Sequence, residues 1–154
     1  MTRSMTYWGR ISALTLAGGL AFWIANFAIS LTPIAAAYRA AFSISYWPMT
    51  LAALVGGLLI AGCVSGLLLS FQDRIPGGGY IFKATLLSLV VMGVIDAVSI
   101  AIDIDHLSIF HVIGAVINLP RFVALGLGVG WLAGRPQMPV IRSAGSVRSS
   151  HVEG

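Results

Sequence analysis

The chain has 154 residues, of which 58% are hydrophobic and 9% charged, and its formal net charge is +4. Soluble domains carry about one quarter charged residues, so this composition excludes a water-soluble fold, which would lack the polar side chains to cover its surface. In so apolar a chain, an excess of Arg and Lys sets membrane topology and does not predict nucleic acid as a partner.

The apolar residues fall into four blocks, each close to the length of about 20 residues that a helix needs to cross the hydrocarbon core. We predict transmembrane helices at about 11–32, 48–71, 83–103 and 107–133. Because backbone polar groups in lipid must bond within their own segment, the predicted fold is all-α, an up-down bundle of four helices within residues 1–135. Residues 136–154 have too few apolar side chains to fold alone and are predicted to form a flexible cytoplasmic tail.

The first block is predicted to be a retained helix, because its apolar run is longer than the roughly 7–15 residues of a signal-peptide core. Pro33 ends this helix. The segment 33–47 follows, with Arg39 as its only charge. Its aromatic residues are typical of a short amphipathic turn or helix at the level of the lipid headgroups.

The second block is rich in glycine. Gly62 and Gly66 have the small-residue spacing that lets two helix backbones approach closely in lipid, so we predict helix packing there. The alternative is that glycine is simply common in membrane helices. Cys63 is the only cysteine, which excludes an intramolecular disulfide.

A polar loop with a proline and three glycines joins the second and third blocks, and Lys83 opens the third. The glycine-rich second helix, the run Arg74-Ile75-Pro76-Gly77-Gly78-Gly79 and Lys83 resemble small four-helix bacterial inner-membrane families of unknown function. The resemblance covers about 56–89. It implies a four-span inner-membrane fold and supplies no catalytic residue.

The basic residues predict the orientation. All but one of those at or beyond the ends of the predicted spans fall on one side of the membrane: Arg3, Arg10, Arg74, Lys83, Arg135, Arg142 and Arg148. Arg39 falls on the other side. Because basic loops stay in the cytoplasm, we predict a multi-pass protein of the cell inner membrane with both termini cytoplasmic.

Polar and ionisable side chains recur at steps of three or four residues in the third and fourth predicted helices, so each set shares one helix face. We call these residues the polar seam: Asp96, Ser99 and Asp103 in the third helix, His111, Asn118 and Arg121 in the fourth, and Asn26 in the first. Counting back from the turn between the two helices places Asp96 level with residues 114–118 and within reach of Arg121.

An ionisable residue inside a membrane span is a functional hypothesis by default. An ion pair between Asp96 and Arg121 would line a polar path or a binding cleft. The alternative is an architectural clasp that holds the helices in register or docks the helix of a partner. Pro120 favours a functional role because it frees a backbone carbonyl inside the fourth helix.

Metal, haem and catalytic chemistry are not predicted. His106 and His111 are not on one helical face, and a single predicted span carries histidine, whereas bis-histidine haem in a bundle needs ligands on opposing helices. No nucleophile–base pair is recognisable either. We therefore predict no enzyme activity and no cofactor.

The sequence favours a non-enzymatic accessory or assembly subunit that docks in a larger membrane complex, because one thin bundle with small-residue faces is suited to association. Its partners would be lipid and other membrane subunits or further copies of itself. The alternative is a small homo-oligomeric channel or a proton- or cation-coupled transporter. There Asp96 would bind the ion and Arg121 would be its counter-charge.

Overall fold

The structure is a computed structural model that describes residues 2–41, 43, 45–102 and 109–135, and the side chains of 2–6, 41 and 109–111 are outside the description. Within these ranges the chain is all-helical and contains no strand. It forms five helices: α1 (Thr2–Ser30), α2 (Pro33–Ala41), α3 (Tyr46–Phe71), α4 (Tyr80–Ile102) and α5 (Ile109–Ala133).

Four of the helices are long and apolar enough to cross a membrane: the spans are Tyr7–Ser30, Tyr46–Phe71, Tyr80–Ile102 and Val112–Ala133. They correspond to the four predicted blocks. The largest difference is at the start of α1, which begins nine residues before the predicted 11 because Arg10 and its polar neighbours continue the helix. The predicted tail, 136–154, lies outside the described residues.

Helix α1 lies between α3 and α5, and α4 packs chiefly against α5. Contacts between named residues give the directions. Gly19 meets Leu58 and Gly57 meets Phe22, so α1 and α3 run antiparallel. Although α3 and α4 are joined by a short loop, they contact each other far less than each contacts its main partner. The spans therefore form two antiparallel pairs, α1 with α3 and α4 with α5, which meet where α1 packs on α5.

Glycine brings the central helices together, but at other positions than the predicted ones. A Cβ on Gly126 would lie 2.4 Å from the Thr85 Cα, and one on Gly18 would lie 2.5 Å from the Val129 side chain. Gly62 makes ordinary contact with α1, whereas a Cβ on Gly66 would meet nothing within 4 Å. Within the described chain Gly66 therefore packs against no other helix, because it lies off the buried face of α3, and its packing role stays a prediction.

The core is concentrated at the end of the bundle where α1 begins and α5 ends. Its buried members are Leu14, Phe22, Ala61, Val64, Leu68, Ala84, Phe122, Leu125, Val129 and Ala133. In α4, Ala84 and Ser88 are buried and no later residue is. We call residues 93–102 the distal half of α4. Every side chain or glycine in it is exposed except Asp96, which is half-buried.

The connection between α3 and α4 is held by local contacts. Lys83 Nζ donates a hydrogen bond to the backbone carbonyl of Gln72 across the loop. Gly77 has a positive φ of 119°, and a Cβ there would lie 2.4 Å from the Phe82 ring. Both features indicate a structural role for this loop, since only glycine adopts that conformation in that space without strain.

Candidate functional site: the polar seam and an arginine cavity

The structure places the residues of the polar seam in different surroundings. Asn26 is buried in α1, Asp96 is half-buried and Ser99 is exposed in α4, and Asn118 and Arg121 are half-buried in α5. Asp103 lies outside the described residues. His111 belongs to α5, but its side chain is among those outside the description.

The register between α4 and α5 is set by close contacts. Ser88 Oγ donates to the Phe122 carbonyl at 2.8 Å, and Thr85 packs against Gly126. Extending this antiparallel register toward the end of α4 puts Asp96 level with Gly114. Arg121 lies nearly two helical turns further along α5.

Arg121 does not pair with Asp96 in the described structure. With about 3.6 residues per turn, Arg121 lies on the side of α5 opposite Gly130, the residue that packs on α4. Its Nη1 donates instead to Asn118 Oδ1 at 2.9 Å. Neither an ion pair nor a hydrogen bond joins the two predicted partners. The prediction that Arg121 reaches Asp96 is therefore wrong, because the rotation of α5 turns Arg121 toward α1, α2 and α3.

Arg121 lines a cavity of about 200 Å³ between α2 and α5. We call it the arginine cavity. Its lining residues come from four helices: Ser30 from α1; Ala35, Tyr38 and Arg39 from α2; Met49 from α3; and Gly114, Ile117, Asn118 and Arg121 from α5. The described lining thus contains two guanidinium groups and no carboxylate.

Arg39 is held in place by two contacts. Its Nη1 donates to the backbone carbonyl of Ser30 at 2.9 Å, and its guanidinium lies 5.4 Å from the ring centroid of Tyr46. The Ser30 carbonyl is one of the groups that the end of α1 leaves without a helical partner, so Arg39 caps that helix. The carbonyl and the ring are both uncharged, so neither contact neutralises the guanidinium.

Asn26 lies one helical turn before Ser30 on the same face of α1. It is 1% exposed, and neither Oδ1 nor Nδ2 has a hydrogen-bond partner among the described residues. A buried amide in this state is destabilising, by about 1–3 kcal/mol. Asn26 is thus a buried polar group one helical turn from Ser30, although it does not itself line the arginine cavity.

Metal ligation finds no support in the described ranges. No three or more His, Cys, Asp or Glu side chains within them lie close enough to hold a metal ion. Asp103, Asp105 and His106 fall in the segment 103–108, outside those ranges. The absence of a metal and a cofactor thus stays a prediction.

Sequence reasoning missed Tyr38 and Arg39 as site residues. The available signal was the distribution of basic residues, in which Arg39 alone stands against the predicted orientation. In the structure Arg39 caps the end of α1 and lines the arginine cavity.

Comparison of the chain with protein families, curated proteins and solved structures finds no match. The resemblance of residues 56–89 to small four-helix bacterial membrane families therefore stays a prediction.

Proposed function

We propose that this protein is a non-enzymatic accessory or assembly subunit that docks into a larger membrane complex through the distal half of α4. In this proposal the four spans alternate in direction in the cell inner membrane, with both termini in the cytoplasm. Support for the orientation comes from the basic residues Arg10, Arg74, Lys83 and Arg135, which lie toward the same ends of the spans.

One observation carries the docking proposal. The distal half of α4 is uncovered by the rest of the described chain, yet it contains a carboxylate, Asp96, in an otherwise apolar stretch. Within the described residues Asp96 has neither an ion pair nor a hydrogen bond. An ionisable group in a membrane helix faces a partner or water in most proteins, because contact with lipid alone is unfavourable. A neighbouring helix with a basic or amide side chain would satisfy Asp96 and cover this face.

The alternative, a homo-oligomeric channel or a proton- or cation-coupled transporter, draws support from the same carboxylate. It would have to use Asp96 without Arg121, since Arg121 faces the arginine cavity. A second copy of this chain would then cover the distal half of α4. The two proposals differ in the identity of the covering helix, which can be measured.

The test is site-specific photo-crosslinking in native membranes. A crosslinking amino acid is placed at Ser99 or Ile100, which flank Asp96 on its face of α4. The matched controls are Phe27 on α1 and Leu51 on α3, which are exposed at comparable depth. We expect a discrete adduct with a different membrane protein from the two α4 positions and lipid adducts alone from the controls.

Three outcomes separate the readings. Loss of the heteromeric adduct on Asp96→Asn, with the protein still folded, would support docking through the carboxylate. An adduct between two copies of this chain would favour the alternative, which then predicts that Asp96→Asn abolishes ion flux in liposomes. Identical adducts from all four positions would refute a specific docking face.

A further inference from the structure

We propose that the arginine cavity binds a phosphate-type oxyanion through the guanidinium groups of Arg39 and Arg121. The inference is independent of the docking role of α4, because the cavity lies on the other side of α5. It gives Arg39 and Arg121 a common role, which anchoring at the membrane surface would not explain for both residues.

Charge is the first argument. Among the described residues, the cavity lining has two guanidinium groups and no carboxylate. The acidic residues that the structure describes are Asp73, in the loop at the other end of the bundle, and Asp96, on α4. Two like charges that share a partly buried site are unfavourable unless an opposite charge is present, and guanidinium groups match phosphate in geometry.

The hydrogen bonds of the two arginines are the second argument. Each guanidinium is positioned by a neutral oxygen: Arg39 by the Ser30 carbonyl and Arg121 by Asn118 Oδ1. In addition, Arg121 Nε is buried and has no hydrogen-bond partner in the described part of the chain. The neutral oxygens orient the two guanidinium groups, and the buried Arg121 Nε–H remains to donate to a ligand. Charge-assisted pairs of this kind are roughly twice as strong as neutral hydrogen bonds.

Size and depth are the third argument. A volume of about 200 Å³ is smaller than the roughly 300–1,000 Å³ of pockets for drug-sized ligands. It suits a phosphate group with a short ester arm. Ser30 is the last residue of the first span and Gly114 lies near the start of the fourth, so part of the cavity lining lies near the ends of the spans, the level at which lipid phosphates are found. The oxyanion can therefore come from an anionic lipid headgroup or from free phosphate.

The experiment measures oxyanion-dependent stabilisation of the full chain in two arms. In the first arm the protein is in nanodiscs of phosphatidylcholine with or without phosphatidylglycerol. In the second it is in an uncharged detergent, titrated with sodium phosphate or, at equal ionic strength, sodium chloride. A ligand that binds only the folded state raises Tm according to its concentration relative to Kd. A rise in Tm with phosphatidylglycerol but not with phosphate would identify a lipid headgroup as the ligand. A rise in Tm with phosphate but not with phosphatidylglycerol would identify a free oxyanion. Either result supports the proposal.

Variants locate the site. Arg39→Gln and Arg121→Gln are each expected to weaken oxyanion binding by about tenfold or more, as the loss of a charge-assisted hydrogen bond implies. The matched controls Arg74→Gln and Arg135→Gln remove the same charge outside the cavity and should leave binding unchanged. Gly114→Leu keeps both arginines but fills the cavity, so it should abolish oxyanion binding. It therefore tests the site independently of the arginine variants, should one of those fail to fold.

Two results would overturn the proposal. One is a wild-type protein that neither oxyanion stabilises beyond the chloride or phosphatidylcholine control. If binding then emerges in the double variant Asp103→Asn with Asp105→Asn, a carboxylate of the chain itself occupies the cavity. The other is oxyanion binding that Gly114→Leu and both arginine variants leave intact, which would place the ligand elsewhere.

Discussion

Replacing Gly126 by alanine tests the close approach of α4 and α5. The new Cβ would lie 2.4 Å from Thr85 Cα and 2.8 Å from Ser88 Oγ. Carbon atoms in good contact are about 3.5–4.0 Å apart, so α4 must move away by about 1 Å. Overpacking of this kind costs about 1–3 kcal/mol, and we expect the upper part of that range because the clash is with backbone. The higher helix propensity of alanine offsets about 1 kcal/mol of this cost, so the variant is still less stable than the wild-type protein.

Gly93→Ala is the matched control, because a Cβ at Gly93 would meet nothing within 4 Å. Both variants exchange glycine for alanine inside a membrane helix, so the difference between them isolates the clash. We expect Gly126→Ala to be less stable than Gly93→Ala by about 2–3 kcal/mol. Unfolding in mixed micelles with increasing dodecyl sulfate, followed by circular dichroism, measures this difference. Coincident unfolding curves for the two variants would refute the described packing of α4 on α5.

Two further predictions concern the polar seam and the orientation. The stability changes of Asp96→Leu and Arg121→Leu should add within about 0.5 kcal/mol in the double variant, because the two residues do not touch. The same unfolding assay measures this. A larger coupling energy would show that the two residues do form an ion pair. In a Cys63→Ser background, Ser43→Cys should react with a membrane-impermeant maleimide on intact cells, and Gly78→Cys should react only after permeabilisation. The reverse pattern would contradict the proposed topology.

The sequence was sufficient for the number and approximate position of the spans, because hydropathy over about twenty residues is a local property. It also predicted the short amphipathic segment that the structure forms as α2. The start of α1 was missed for a physical reason. A helix does not stop at the membrane surface, so Arg10 and the polar residues before it stay helical without contributing to hydropathy.

The pairing of polar residues was less predictable. Periodicity shows that Asn118 and Arg121 share a face of their helix, but it does not show which neighbour that face meets. The rotation of α5 depends on where Gly126 and Gly130 let α4 approach. In sequence these glycines look no different from Gly66, which faces open space. The predicted pair of Asp96 and Arg121 was wrong for this reason.

The contact between the first span and the last has a consequence for biogenesis. Spans leave the ribosome in chain order, so α1 can pair with α3 early but meets α5 only when synthesis of the four spans is nearly complete. Until then the face of α1 around Gly18 has no protein neighbour to cover it. The pairs α1–α3 and α4–α5 are thus expected to form as separate hairpins, and the arrival of α5 closes the bundle. A chain that stops after α4 would lack the helix on which both α1 and α4 pack, and we expect membrane quality control to degrade it.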